Sequence, residues 1–320
     1  MRVIIDVMGG DNAPYEILKG AFSAVNKYNI DLTLVGKIEI IREYIEKNKI
    51  STERIEIVSA ENIVRMDDDP LLAVHKKKDS SMMIALKLLA EGRSDALVSA
   101  GNTGALFSGA TLIVRRSEGI KRAAIGTILP GTKPCLLLDA GANVTVTEEY
   151  LEQFALIGSS YMRKMYGITS PKVGILNNGT EDCKGTELQI NTGKRLKVNT
   201  SVNFIGNVEA SSVMFGACDV VVCDGFTGNV FLKATEGIGK RVLKSLKEVY
   251  GENLFTKLSY LMIAKRIAKL KKQFDPSEHG GSPILGISKP VVKAHGSSDA
   301  KALENAINQA IRFAEIGGSL

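Results

Sequence analysis

The chain has 320 residues, 44% hydrophobic and 24% charged, with 31 glycines against 8 prolines. That usage excludes a collagenous or Pro-rich disordered polymer and fits a globular protein of one large or two ordinary domains. The net charge of +6 is concentrated, because Lys257, Lys265, Arg266, Lys269, Lys271 and Lys272 lie between Leu254 and Gln273 with no acid among them, which points to a specific anionic partner rather than a generally basic surface.

In chain order, short apolar runs end in Gly or Asx and are followed by helix-compatible stretches: Val3 to Val7, Leu32 to Val35, Ile55 to Val58, Ala96 to Ser99, Leu136 to Leu138, Val173 to Leu176 and Val220 to Cys223. Continuous rather than alternating apolarity predicts strands buried on both faces, hence a mostly parallel sheet with helices on each side. Pro14 opens a helix towards Tyr28, Thr147-Glu148-Glu149 opens one towards Tyr166, and Asp299 precedes one reaching about Ile316, with Gly167 and Gly317 as stops. The stretch from Met66 to Ser81 lacks a clear period and reads as a mobile surface loop.

Within the basic segment a helical wheel groups Leu254, Leu258, Leu261 and Met262. Continuing the same helix places Lys265, Lys269 and Lys272 on that face and Ile263, Ile267 and Leu270 opposite. The phase jump predicts two short helices breaking near Met262-Ile263, a protrusion at 250–282 within a single α/β catalytic domain over 1–320. No apolar run approaches the length of a spanning helix, and Met1 to Asp6 reads as a strand rather than a signal peptide, so a cytoplasmic protein is expected. Cys135, Cys183, Cys218 and Cys223 show no Cys-x-x-Cys spacing and are read as small core or loop residues without metal or disulfide roles.

Five strand ends carry small polar turns: Met8-Gly9-Gly10-Asp11-Asn12, Ser99-Ala100-Gly101-Asn102-Thr103-Gly104, Asp139-Ala140-Gly141-Ala142-Asn143, Asn177-Asn178-Gly179-Thr180 and Asp224-Gly225-Phe226-Thr227-Gly228-Asn229. In a parallel sheet such turns emerge on the carboxyl edge, where glycine permits close backbone approach and helix N-termini favour an anion, so a phosphate-like ligand is expected. The Walker and dinucleotide fingerprints, the serine-hydrolase elbow and the zinc-protease motif are absent. Lys184 and His295 are the further titratable candidates; Asp299 with Ser297 or Ser298 would equally serve as a helix cap.

Together the turns, with His295-Gly296-Ser297-Ser298-Asp299-Ala300, resemble the bacterial phosphate acyltransferase (PlsX) family in order and spacing over nearly the whole chain. Asn12 departs from the family's frequent His, and Asn178 and Thr180 from its usual aliphatic residue and Glu. The resemblance implies an isopropylmalate-dehydrogenase-like three-layer α/β/α fold with a protruding helical hairpin. It implies a homodimer that converts acyl-[acyl carrier protein] and inorganic phosphate to acyl phosphate and free carrier. The product feeds glycerol-3-phosphate acylation in phospholipid synthesis, with the membrane glycerol-3-phosphate acyltransferase as a further partner.

Phosphate is already a nucleophile, so the reaction calls for an anion cradle and an oxyanion donor rather than an activated serine, a metal or a cofactor. On that reading Gly101, Asn102, Thr103 and Gly104 and the turn Gly225, Thr227, Gly228 hold phosphate, with Ser297 contributing and Lys184 as charge partner. Asn229 or Asn143 donates to the oxyanion, and His295 transfers the proton. Asp139 and Asp224 orient donors or cap their turns. Leu254, Leu258, Leu261, Met262, Ile263, Lys265 and Arg266 contact an anionic membrane surface, a reversible peripheral association that the resemblance also implies. Two other classes are disfavoured: a decarboxylating dehydrogenase lacks its carboxylate cluster and arginine clamp, and a nucleic-acid binder lacks stacking aromatics, at 6% with no Trp.

Overall fold

The computed structural model describes residues 1–131, 133–251, 253–274, 278 and 280–318. In chain order the elements are β1 (Arg2–Asp6), α1 (Tyr15–Tyr28), β2 (Asp31–Gly36), α2 (Ile38–Asn48), β3 (Ile55–Ser59), α3 (Pro70–Lys76), α4 (Ser81–Ala90), β4 (Ala96–Ser99), α5 (Thr103–Gly109), β5 (Ala124–Leu129), β6 (Cys135–Leu138), α6 (Glu148–Tyr166), β7 (Lys172–Asn177), α7 (Glu187–Val198), β8 (Asn203–Glu209), α8 (Ala210–Met214), β9 (Val220–Val222), α9 (Gly225–Gly251), α10 (Leu254–Phe274), β10 (Ser282–Leu285), β11 (Val291–Lys293) and α11 (Ala300–Glu315), with a π-helical turn at Ala110–Val114 after α5. The chain divides into two compact units.

The first unit comprises Met1–Thr127, Ser160–Thr169 and His279–Leu320, with strand order β3-β2-β1-β4-β11-β10-β5. β1 is parallel to β2 and β4, and β11 to β4, whereas β10 runs antiparallel to β11 and β5. The apolar runs of β1, β2 and β4 are buried on both faces, as their continuity requires, whereas the edge run Ile55 to Val58 of β3 is half buried. Val3, Ile5, Leu32, Leu34, Ala96, Val98 and Val292 join residues of α1, α2 and α11 in one core. By the two-residue alternation of strands, Ile4, Asp6, Leu97, Ser99, Val291 and Lys293 face the other side, where Ser81 at the start of α4 meets Asp6. Helices therefore cover both faces, as the α/β/α reading expects.

The expected loop at Met66 to Ser81 contains α3. Its signal is Asp69-Pro70: Asp69 Oδ1 accepts the Leu72 N–H at 2.8 Å and Pro70 sits in the first turn, a start signature that outweighs the missing periodicity.

α1 and α11 are joined by a charged cluster around Glu304, which is buried. Its Oε1 accepts from Lys27 at 2.6 Å and Lys301 at 3.2 Å, and its Oε2 from Ser23 at 2.5 Å. Burial alone would raise the carboxyl, but the bonds from Lys27, Ser23 and Lys301 outweigh it and hold it at about 2, against an ordinary 4.5. A depressed folded-state pKa stabilises above the unfolded value, and that contribution drains away as pH falls from about 4.5 towards 2. Glu304→Gln is expected to lower stability by about 1–2 kcal/mol at pH 7, discounted because both lysines are half exposed. Melting curves of both proteins should converge only as pH falls to about 2; an offset independent of pH would refute the assignment.

The second unit comprises Ile128–Ser159 and Ser170–Glu278, with strands β6-β9-β7-β8, all parallel. Leu136–Leu138, Val173, Ile175 and Val220–Val222 form its buried strand centre.

α9 and α10 pack against each other, with Tyr250 and Tyr260 rings 5.7 Å apart, a pair different from the two short helices expected within 250–282. The expected break at Met262-Ile263 is not there: α10 runs unbroken through both residues, which carry no Gly or Pro to stop a helix. The chain breaks ahead of Asn253 instead. Asn253 Oδ1 accepts the Thr256 N–H at 3.0 Å and Thr256 Oγ1 accepts the Asn253 N–H at 3.1 Å, a reciprocal cap that starts a new helix. The phase jump is resolved by two faces of one helix. Ile263, Ala264, Ile267 and Leu270 are half buried, whereas Phe255, Met262, Lys265 and Arg266 are exposed. The side chains of Leu254, Leu258 and Leu261 lie outside those described.

Candidate functional site

The candidate residues fall on two carboxyl edges, one in each unit. In the first unit β1, β4 and β11 end side by side. Asn102, assigned to phosphate, turns its side chain inward: Oδ1 accepts the Ala105 N–H at 2.9 Å, capping α5. Its Nδ2 donates to the carbonyls of Arg65, Met66 and Asp68 at 3.3, 3.0 and 3.1 Å. It thus ties the segment before α3 over the Gly101–Gly104 turn. Thr103 is exposed and Gly101 buried, while Gly104 packs under Pro70.

His295 is exposed, and its Nδ1 lies 2.9 Å from Ser297 Oγ and accepts the Ser297 N–H at 3.3 Å. An accepting Nδ1 leaves Nε2 to carry the proton of the neutral ring. The loop is held from β1, because Asp11 N–H donates to Gly296 O at 2.8 Å and Asn12 Nδ2 to Ser297 O at 3.0 Å. Asp299 caps α11 through Ala302 N–H at 2.8 Å.

In the second unit β6, β9 and β7 end together. Asp139 is fully buried, and its carboxylate collects four donors: Gly141 and Ala142 N–H at 3.1 Å, Asn143 N–H at 2.6 Å and Asn143 Nδ2 at 2.7 Å. A carboxylate so engaged organises its turn. Asn143 is likewise buried, its carbonyl accepting the Gly225 N–H at 2.7 Å, so of the two asparagines considered for the oxyanion it is Asn229 that faces outward. Asp224 accepts the Thr227 N–H at 2.9 Å and the Thr227 hydroxyl at 2.7 Å, capping the start of α9.

Gly141 has φ +139°, and a Cβ there would come 2.5 Å from Asn229 Nδ2, so the Asn229 amide rests on bare backbone. Lys184 is exposed in the loop after β7, its carbonyl accepting Asn177 Nδ2 at 3.0 Å. Cys135, Cys218 and Cys223 are buried and Cys183 is exposed. Burial pushes the Cys223 thiol well up, away from the thiolate that nucleophilic catalysis uses.

One group was not brought together by sequence reasoning: Asp6, Ser81, Ser99 and Lys293, all buried. The available signal was a charged residue closing an otherwise apolar strand, as in Arg2-Val3-Ile4-Ile5-Asp6 and Val291-Val292-Lys293.

This architecture is that of phosphotransacylases. A phosphotransacetylase from Streptococcus pyogenes superposes with a TM-score of 0.65 at 16% identity, covering 99% of this chain and 94% of that one. A branched-chain phosphotransacylase from Enterococcus faecalis V583 gives 0.60 at 15%, covering 98% and 99%. At these identities the likeness concerns the fold. Sequence relatives go further: residues 1–319 match the family described as fatty acid synthesis protein. The phosphate acyltransferase of Caldanaerobacter subterraneus subsp. tengcongensis is 46% identical over 312 residues, 97% of this chain and 92% of that protein. That of Clostridioides difficile is 41% identical over 317 residues, 98% and 93%. The chain belongs to this phosphate acyltransferase family, as the resemblance of its turns indicates.

Proposed function

We propose that the protein transfers an acyl group from the thioester of acyl carrier protein to inorganic phosphate, supplying acyl phosphate to phospholipid synthesis. The observation that carries this reading is the start of α9. A helix N-terminus capped by Asp224 presents Thr227 and Asn229 beside the Asp139 turn, a setting that favours an anion. On the same turn of helix Phe226 and Val230 are 63% and 55% exposed, apolar surface suited to an acyl chain.

A phosphate oxygen attacks the thioester carbon, forming the C–O bond while the carbonyl pair moves onto oxygen, where the Asn229 amide donates. Collapse of the oxyanion breaks the C–S bond, and sulfur leaves with the pair and takes a proton from water. Lys184 balances phosphate charge. The test is incubation with acyl carrier protein thioester, with and without phosphate, trapping acyl phosphate as hydroxamate. Phosphate-dependent release of carrier thiol, undiminished by chelator, is expected. Turnover of acyl-coenzyme A but not of the carrier thioester would overturn the donor assignment.

The reading extends to a homodimer and to reversible contact with an anionic membrane. Ile238, Val242 and Val249 leave apolar surface exposed along α9, of the kind that a second copy covers. On α10, Phe255 and Met262 are 83% and 89% exposed beside Lys265 and Arg266. No described helix is long and apolar enough to cross a membrane, so contact rests on such faces: about 1.5–3 kcal/mol per inserted apolar side chain and about 1 kcal/mol per nearby lysine or arginine. Met262→Glu is expected to abolish co-sedimentation with anionic vesicles while leaving acyl transfer in solution intact. Undiminished co-sedimentation would remove this face from the membrane reading.

A further inference from the structure

The strand-end charges of the first unit form one row. In parallel register Asp6 lies opposite Ser99 and Ser99 opposite Lys293, so the three side chains emerge at one level on the face that α4 covers. Asp6 Oδ1 accepts the Ser81 hydroxyl at 2.6 Å and Oδ2 the Ser99 hydroxyl at 2.7 Å. Ser99 Oγ accepts the Gly101 N–H at 3.1 Å. Lys293 is 8% exposed, and its Nζ donates to Ala100 O at 3.2 Å and to Ala294 O. A Cβ at Gly9 would come 2.6 Å from Asp6 Oδ2 and 2.7 Å from Gly101 N, so the row ends directly on the backbone of the turns at 8–10, 100–102 and 294–296.

Burying an ammonium and a carboxylate is costly, and apolar side chains of similar volume commonly serve stability as well or better. Two hydrogen bonds of the ammonium go to carbonyls, one at the root of each candidate turn. In a trans peptide the next N–H points opposite to the carbonyl, so holding Ala294 O inward directs the His295 N–H away from the ammonium.

We propose that Lys293 is a positioning residue, its ammonium clamping the Ala100 and Ala294 carbonyls so that the Gly101–Gly104 and His295–Ser298 turns form one rigid platform. The proposal rests on the reading that these turns serve acyl transfer to phosphate. In the same row Ser99 bonds both Asp6 and the Gly101 N–H, so the row also holds Gly101.

The test compares Lys293→Met, which keeps the side-chain length without the charge, with the neutral double variant Asp6→Asn/Lys293→Met. Each is measured for melting temperature, kcat, KM for phosphate and for the acyl donor, and hydrogen exchange in peptides covering 99–104 and 293–298. Lys293→Met should lower kcat by about 10- to 100-fold, as small misplacements do. The acyl-donor KM should stay within about twofold, while exchange speeds up in both turns. The double variant should regain melting temperature but neither kcat nor slow exchange, and it carries the test where the single variant does not fold. Recovery of kcat along with stability would overturn the proposal, reducing Lys293 to a counter-charge for Asp6. Hydrogen exchange keeps the two readings separable: if the wild type lacks phosphate-dependent transfer the functional reading fails, whereas unchanged exchange in both turns sinks the clamp by itself.

Discussion

Replacing Asn229 by alanine is expected to slow acyl transfer by about a hundred- to a thousand-fold with almost no change in melting temperature, the usual consequence of removing one oxyanion donor. The side chain is exposed, so its truncation leaves no cavity. Its amide sits over Gly141, where a Cβ would approach to 2.5 Å, and that seat fixes the donor before substrate arrives. Lys184→Ala is expected to act differently. Its stem lies over Gly179, whose added Cβ would be 3.0 Å from Lys184 Cγ, and in the proposed reaction its charge would serve phosphate in ground and transition states alike. A rise in KM for phosphate should therefore accompany a fall in kcat of about tenfold or more. Steady-state kinetics over a phosphate series, with melting temperatures alongside, separates the two. If both variants keep wild-type rates on an intact fold, phosphate is held elsewhere.

The difference between what was and was not legible in the sequence follows from range. Val3 to Val7 and Val220 to Cys223 announce buried strands because burial on both faces leaves an unbroken apolar run. Asp299 and Gly317 mark the ends of α11 because capping is local. The orientation of Asn102 and Asn143 was hidden, since a turn asparagine pointing outward and one pointing inward are written alike. What turns the Asn143 side chain inward is the buried Asp139 carboxylate, and the backbone there is fixed by Gly225, far along the chain. The row Asp6, Ser99, Lys293 depends on register between strands about a hundred and about two hundred residues apart, which no local pattern encodes. In the basic segment the wheel set Ile263, Ile267 and Leu270 opposite Lys265, as their burial agrees, and misplaced the break, because Asn253 and Thr256 form a cap that apolar periodicity cannot register.

Gly228→Ala is expected to be the most damaging single methyl in the second unit. An added Cβ would stand 1.9 Å from the Asp139 carbonyl oxygen and 3.0 Å from Cys223 Sγ, and neither side can retreat. Asp139 N–H donates to Cys223 O at 3.1 Å and Cys223 N–H to Leu138 O at 3.0 Å, while the Asp139 side chain is locked by its four donors. The start of α9 must therefore move, taking Thr227 and Asn229 with it. Overpacking typically costs about 1–3 kcal/mol and sometimes more; with backbone as the obstacle the upper end is expected, a fall of about 6–12 °C in melting temperature. Acyl transfer should be nearly lost even at temperatures where the variant remains folded. Gly237→Ala is the control, on the same helix with nothing within 4 Å of its added Cβ. Removing a mid-helix glycine there should stabilise by about 0.5–1 kcal/mol and leave turnover unchanged. Calorimetry and turnover of the pair decide the matter: a Gly228→Ala protein as stable and as active as Gly237→Ala would mean that the first turn of α9 is not seated on the Asp139 carbonyl and does not hold the catalytic donor in place.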